Sequence, residues 1–208
     1  MMPGGAYDPR VPERCEPAMT PAFPGAHDLV RVIDDAVVLG DPHAITTALR
    51  ASLAQLIAEQ RVQLPAAVYE ADPAHYARRL LHLSERHGYS VIAMTWGPGQ
   101  GTLIHDHAGL WCVEGVWAGA LEVTPYDLVE TAGDEARFRP QETLHAGRGS
   151  CGSLIPPFEY HTIRNADARD IAVSVHVYSQ AMNRCTVFEP VRGEWCRRQE
   201  RVLQAAEA

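Results

Sequence analysis

A chain of 208 residues that is 46% hydrophobic and 21% charged carries enough apolar material for one real core and too much for disorder or a low-complexity fibre. Its net charge of −8, with no basic block beyond Arg197–Arg198, argues against a nucleic-acid partner. Apolar runs such as residues 36–39 are far shorter than a membrane span, and the first residues lack the form of a secretory signal, so no membrane role is expected and the cytoplasm is the expected compartment.

Residues 1–25 hold Pro3, Pro9, Pro12, Pro17, Pro21 and Pro24 and read as a flexible arm. From His27 the apolar positions Leu29, Val30, Ile33, Val37 and Val38 recur at three and four, which predicts a helix stopped by Gly40. Asp41-Pro42 has the cap-then-proline form of a second helix, whose apolar face runs from Ile45 through Leu49, Leu53, Leu56 and Ile57 toward Gln60. Asp72-Pro73 repeats that signal, and with Leu80, Leu81 and Leu83 it predicts a third helix closed by Gly88, so residues 26–88 are expected to form a helical segment.

After Gly88 the texture changes to short runs rich in Val, Ile, Trp and Tyr, punctuated by Gly and Pro. Strands are predicted at 89–96, 102–107, 110–117, 120–126, 136–140, 153–155, 161–165, 171–178 and 185–189. So many short strands are expected to close into a sandwich or barrel over residues 89–190, because closure removes exposed edges, with helices covering one face. The tail, 191–208, reads as a peripheral helix or frayed end.

The five cysteines, Cys15, Cys112, Cys151, Cys185 and Cys196, include no C-x-x-C pair, which argues against a disulfide framework or a thiolate zinc site. The ten histidines are the stronger signal, since imidazole is both a metal ligand and a proton carrier near neutrality. His105 and His107 flank Asp106, and on a strand residues two apart share a face, so the two imidazoles converge while Asp106 points away. His161, after Pro156-Pro157, is the third candidate from a second strand. Three imidazoles on one side of a metal leave its opposite positions open. His27, His43, His75, His82, His87 and His145 have no comparable partners and read as surface residues. Trp96, Trp111 and Trp117 read as core or pocket wall.

Residues 99–119 spell G-x5-H-x-H-x4-C-x6-G and residues 156–165 spell P-x4-H-x3-N. Both resemble the paired signatures of the cupin superfamily, with Cys112 in the usual glutamate position and Phe158 in the usual glycine position. A cupin with a three-histidine set resembles the thiol dioxygenases, of which the cysteine dioxygenase family is the best-known type. That resemblance covers residues 76–189 and implies a mainly β fold: a cupin (double-stranded β-helix, or jelly-roll) barrel with the N-terminal helical segment packed on it. It implies one Fe(II) per chain on His105, His107 and His161, and a small thiol and O2 as partners.

The family's Tyr-x-Arg stretch, whose arginine binds a substrate carboxylate, is matched by Tyr76 and Arg78. Its Ser-x-His-x-Tyr relay is matched by Ser174, His176 and Tyr178, and a pocket cysteine of the cysteine-specific branch by Cys185. Cys112 matches a cysteine that some members link to the relay tyrosine through a thioether. Two features differ from that branch: Gln180 follows Ser179 where proline is common, and Trp111 resembles the branch that oxidises 3-mercaptopropionate, which has glutamine in place of Arg78. The expected activity is oxidation of a small thiol carboxylate, L-cysteine first, to its sulfinic acid. The alternatives are a 3-mercaptopropionate dioxygenase, a non-catalytic metal- or ligand-binding cupin, and zinc chemistry at the same ligands.

Overall fold

The computed structural model describes residues 23–157 and 159–208, so nearly all of the expected N-terminal arm, with Cys15, and also Phe158 lie outside the described residues. Two helices come first, α1 (Ala26–Val37) and α2 (Pro42–Glu59), followed by a 3-10 turn at Ala66–Tyr69. The strands are β1 (Ala77–Leu83), β2 (Ser90–Trp96), β3 (Ile104–His105), β4 (Cys112–Ala118), β5 (Ala120–Ala132), β6 (Glu135–Pro140), β7 (Leu144–Gly147), β8 (Cys151–Leu154), β9 (His161–Arg164), β10 (Ala172–Tyr178), β11 (Arg184–Arg192), β12 (Trp195–Val202) and β13 (Ala206–Glu207).

The helices form where the spacing predicts them. In α1, Ala26, Leu29, Ile33 and Ala36 are buried along one stripe. Asp41 caps α2 by accepting a hydrogen bond from Ala44 N at 2.9 Å, and Pro42 sits in the first turn, where its missing N–H leaves no helix bond unmade. The stretch expected as a third helix is instead β1, paired antiparallel to β2 with Arg78 opposite Met94. Asp72 does accept a bond from Ala74 N, but this closes only a local turn. The helical spacing of Leu80 and Leu83 coincides with a bulge between Leu80 and His82, and pairing to β2 overrides the local preference. The tail likewise forms β12, paired to β11 and β6.

One sheet runs β13-β1-β2-β10-β4-β8, and the other runs β6-β12-β11-β3-β9-β5-β7, with β5 also pairing β6. This is the two-sheet cupin jelly roll that the sequence resemblance implies. Strands β2 and β10 lie centrally and are buried at every position, because both of their faces are covered. Val91, Ala93, Val173, Val175 and Val177 pack on α1 and α2 in one cluster, while Ile92, Met94, Trp96, Ala172 and Tyr178 face the barrel interior in another. The Tyr89 hydroxyl donates to Asp34 Oδ1 at 2.7 Å and ties α1 to the sheet.

Two glycines permit close approaches. A Cβ on Gly115 would stand 3.3 Å from Ile57 Cδ1, so its absence lets α2 settle on β4. Gly119 turns β4 into β5 at φ +68 with Ile171 O only 2.7 Å from where a Cβ would be. Leu53 sits at the centre of the helix–sheet cluster with no exposed surface. Leu53→Ala is expected to cost about 2–5 kcal/mol of unfolding free energy in urea titrations. A loss below about 1 kcal/mol would contradict the packing described for α2.

Candidate metal centre

Strand β3 is two residues long, yet it pairs β11 on one side and β9 on the other, with His105 directly opposite His161. Asp106 points away from the interior and pins the turn that follows. Its Oδ1 accepts from Thr186 N at 2.7 Å and from Ala108 N at 3.1 Å. Ala108 and Gly109 then take positive φ. The alternation returns His107 to the interior beside His105. The ligand atoms of His105, His107 and His161 all lie within 4.8 Å of one another.

Backbone carbonyls fix two of the three rings. His161 Nδ1 lies 2.9 Å from Glu159 O, and His105 Nδ1 lies 3.1 Å from Leu103 O. A carbonyl only accepts, so each Nδ1 carries the proton and each Nε2 keeps a free lone pair. Burial holds all three imidazoles below their ordinary pKa, His107 and His161 well below it, and for those two the neighbouring imidazoles add to the effect. His161 Nε2 is buried without a hydrogen-bond partner among the described residues, an arrangement a bound cation would satisfy. Three neutral imidazoles with no carboxylate in the set suit a divalent transition metal such as iron or zinc better than calcium or magnesium.

A cavity of about 340 Å³ opens beside His105 and His107, and Tyr76, Arg78, His176, Tyr178 and Cys185 contribute to its wall. Arg78 reaches it from β1. The guanidinium is buried and donates through Nη2 to Met182 O at 3.1 Å, while Nε and Nη1 have no partner among the described residues. Tyr76, just before β1, stacks on Trp96 with ring centroids 4.6 Å apart. Cys185 stands buried on β11, its thiol pushed up to about 11 chiefly by burial.

Ser174, His176 and Tyr178 share the interior face of β10. Ser174 Oγ lies 2.8 Å from His176 Nε2, and Trp96 Nε1 donates to the same Oγ at 2.9 Å. His176 and Tyr178 meet by stacking, with ring centroids 6.0 Å apart and planes 14° from parallel. His176 Nδ1 lies 4.0 Å from Cys112 Sγ and 3.5 Å from Glu114 Oε2. Cys112 is buried directly opposite Tyr178 across the β4–β10 pair, the adjacency that a thioether between them needs. Trp111 packs with the helix-side cluster, away from the cavity.

Residues 49–191 match the family model described as cysteine dioxygenase type I. The chain belongs to this family. Among curated relatives, cysteine dioxygenase type 1 of Rattus norvegicus is 26% identical over 144 residues, spanning 64% of this chain and 71% of the relative. The human protein of the same name is 24% identical over the same shares. That of Danio rerio is 26% identical over 123 residues, 59% of this chain and 60% of its own. A solved RmlC-like cupin from Desulfovibrio desulfuricans is 18% identical, covers 57% of this chain and 95% of its own, and has a TM-score of 0.41; the fold assignment rests on the strand order described above.

The cysteine dioxygenase family match begins inside α2 and ends in β11, so the three histidines, Arg78 and β10 all fall within it. Two carboxyl groups of the site, Glu159 and Glu114, escaped the sequence reading, whereas Asn165 was already marked there as the end of the second motif. Asn165 closes the second motif structurally, its Nδ2 donating to Trp96 O at 3.0 Å and Asp170 O at 2.9 Å. Glu159 accepts from His107 N at 3.3 Å and stands 3.8 Å from His107 Nδ1, and burial lifts its carboxyl to about 7. Glu114 is opposite His176 on β4, with its carboxyl also lifted to about 7 by burial. Interior parity with Cys112 was the available signal for Glu114; no local pattern marks Glu159.

Glu114 gives a pH prediction whose sign follows from that burial. Its folded value of about 7 exceeds the ordinary 4.5, so the folded state holds the proton more tightly than the unfolded chain does. Relative to Glu114→Gln, the wild type is therefore expected to lose on the order of 2–3 kcal/mol of stability as pH rises from about 4.5 through about 7, levelling off about one pH unit higher. Denaturant unfolding of both proteins across pH 4–8 measures the difference. A flat difference would contradict the burial of this carboxyl.

Proposed function

We propose that the protein is a thiol dioxygenase, converting a small thiol carboxylate, L-cysteine first, to its sulfinic acid with one Fe(II) per chain on His105, His107 and His161. The observation that carries this reading is Arg78. A buried guanidinium with Nε and Nη1 unpaired among the described residues, facing the same cavity as His105 and His107 of the three-histidine cluster, calls for an anion at that spot. A carboxylate received there by Nε and Nη1 leaves the thiol end of a cysteine-sized molecule free to extend toward the histidines.

The reaction joins both atoms of O2 to sulfur: the O–O bond breaks, two S–O bonds form, and the thiol proton is released as the sulfinate appears. Sulfur loses the four electrons that O2 gains. Fe(II), held by His105, His107 and His161, would supply positive charge that favours the thiolate and the capacity to activate O2. The remaining work falls to the chain. Arg78 binds and orients the carboxylate. Tyr76 stacked on Trp96 closes the wall on that side. Burial holds the Tyr178 hydroxyl well above its ordinary pKa, so it keeps its proton and serves as a donor to charge developing at the reacting end. His176, stacked on that ring and held neutral by burial, fixes its orientation. Cys185 and Met182 shape the side of the cavity nearest Arg78.

The 3-mercaptopropionate alternative draws no support from Trp111, which packs against the helices, and the arginine at position 78 favours the cysteine branch. The Fe(II)-loaded protein is expected to consume O2 with L-cysteine. Faster turnover of 3-mercaptopropionate would select the alternative, and no uptake with any thiol would leave a binding module. Arg78→Ala is expected to lower kcat/KM for thiol carboxylates about ten- to a hundredfold, the worth of about 1.5–3 kcal/mol for a charged hydrogen bond. Cysteamine, which lacks the carboxylate, should be affected much less. Equal losses for both would assign Arg78 to the fold alone.

A further inference from the structure

The relay strand contains an unassigned proton. Trp96 Nε1–H is a donor only, so in its 2.9 Å contact Ser174 Oγ accepts. Ser174 is buried, and the only acceptor its own hydroxyl proton meets among the described residues is His176 Nε2 at 2.8 Å. If that nitrogen instead carried the imidazole proton, the serine hydroxyl proton would be buried with nowhere to go, which is costly. His176 Nε2 is therefore the bare nitrogen, and in the neutral ring the proton sits on Nδ1.

That N–H faces β4, where two groups approach it. Cys112 Sγ, at 4.0 Å, is a weak acceptor. Glu114 Oε2, at 3.5 Å, is the stronger one, and it is buried with no hydrogen-bond partner among the described residues. The strand pairing brings them together: Glu114 lies directly opposite His176 across β4–β10, and its neighbour on the other side, across β4–β8, is Gly152, which has no side chain to compete for the space. The sequence marks this position only as a charged residue in an otherwise apolar run, Cys-Val-Glu-Gly-Val.

We propose that Glu114 is a positioning residue that holds the His176 proton on Nδ1, so that the array from Trp96 through Ser174 and His176 to the Glu114 carboxyl has one direction and the His176 ring one orientation. The ring forms part of the wall of the substrate cavity and lies stacked against Tyr178, so its orientation sets the surface on which Tyr178 rests. Without Glu114, Nδ1–H keeps only the weak acceptor Cys112 Sγ, and the ring gains a reason to flip or to move its proton. The functional consequence rests on the thiol dioxygenase reading; the proton's location does not.

Histidine ring nitrogens report protonation directly, because a protonated nitrogen and a bare one resonate far apart. The test uses full-length protein with 15N-labelled histidine and loaded with Zn(II), a diamagnetic occupant of the three-histidine site, with the His176 signals assigned by their loss in His176→Gln. In the wild type, Nδ1 is expected to be protonated and Nε2 bare. In Glu114→Leu, the Nε2–H form should gain population, and Glu114→Gln, whose amide oxygen still accepts, should restore the wild-type pattern. Glu114 borders a second cavity of about 280 Å³ lined by Leu121, Val123 and Leu154, so the leucine has room.

With Fe(II) and a thiol, Glu114→Leu is expected to lower kcat about tenfold with KM unchanged, and Glu114→Gln to recover most of it. Wild-type His176 protonated on Nε2 overturns the proposal whatever the variants do, and so does an unchanged pattern in folded Glu114→Leu. Because the spectrum is read without thiol or O2, it stands apart from the reaction: a wild type that oxidises no thiol would end the dioxygenase reading and leave the tautomer result intact.

Discussion

Neutrality of buried imidazole is the constraint on which the rest of this molecule depends. Three histidine rings with ligand atoms within 4.8 Å of one another exclude simultaneous protonation, and burial already disfavours the charged form of each. Carbonyl oxygens of Leu103 and Glu159 then choose which nitrogen bears the proton on two of them. The outcome is a lone-pair cluster with no charge of its own. In such surroundings the Arg78 guanidinium is an uncompensated cation, and together with a metal it makes the cavity a receptor for anions. The proposed thiol carboxylate substrate has an anionic group for each.

Holding that cluster dry requires β2 and β10 to be covered twice. The helices do this on one face with Leu29, Ile33, Leu49 and Leu53, while the second sheet closes the other. A strand with two buried faces cannot alternate polar and apolar residues simply. Polar residues on the inner face of β10 are therefore tolerated only where each finds a partner, as Ser174 does with Trp96 and His176. The same logic makes Glu114 conspicuous, since a carboxyl on an inner face needs a reason in the residue opposite it.

The parts of this structure that were legible in the sequence are those governed by local rules. Strand parity announced that His105 and His107 converge and Asp106 diverges, and helix spacing with an Asp-Pro start located α1 and α2. The match of short motifs to the cupin pattern supplied the fold class and the candidate third ligand. Parity alone also put Ser174, His176 and Tyr178 on one face. What escaped were the features decided by partners distant in sequence. Residues 77–83 have helical spacing of leucines and become a strand because β2 offers a pairing edge. The tail becomes β12 because β11 and β6 flank it. The nitrogen left on His176 after Ser174 is served faces β4, a fact of cross-strand register that the string Ser-Val-His-Val-Tyr does not contain.

The proposed reaction adds both atoms of dioxygen to the sulfur of a thiol carboxylate. The most direct measurement is isotopic: the Fe(II)-loaded protein is given L-cysteine and 18O2 in ordinary water, and the oxygen product is examined by mass spectrometry. The account predicts a sulfinate carrying two 18O atoms, formed in step with O2 consumption. A product with one labelled oxygen or none, or a disulfide formed in place of the sulfinate, would contradict it.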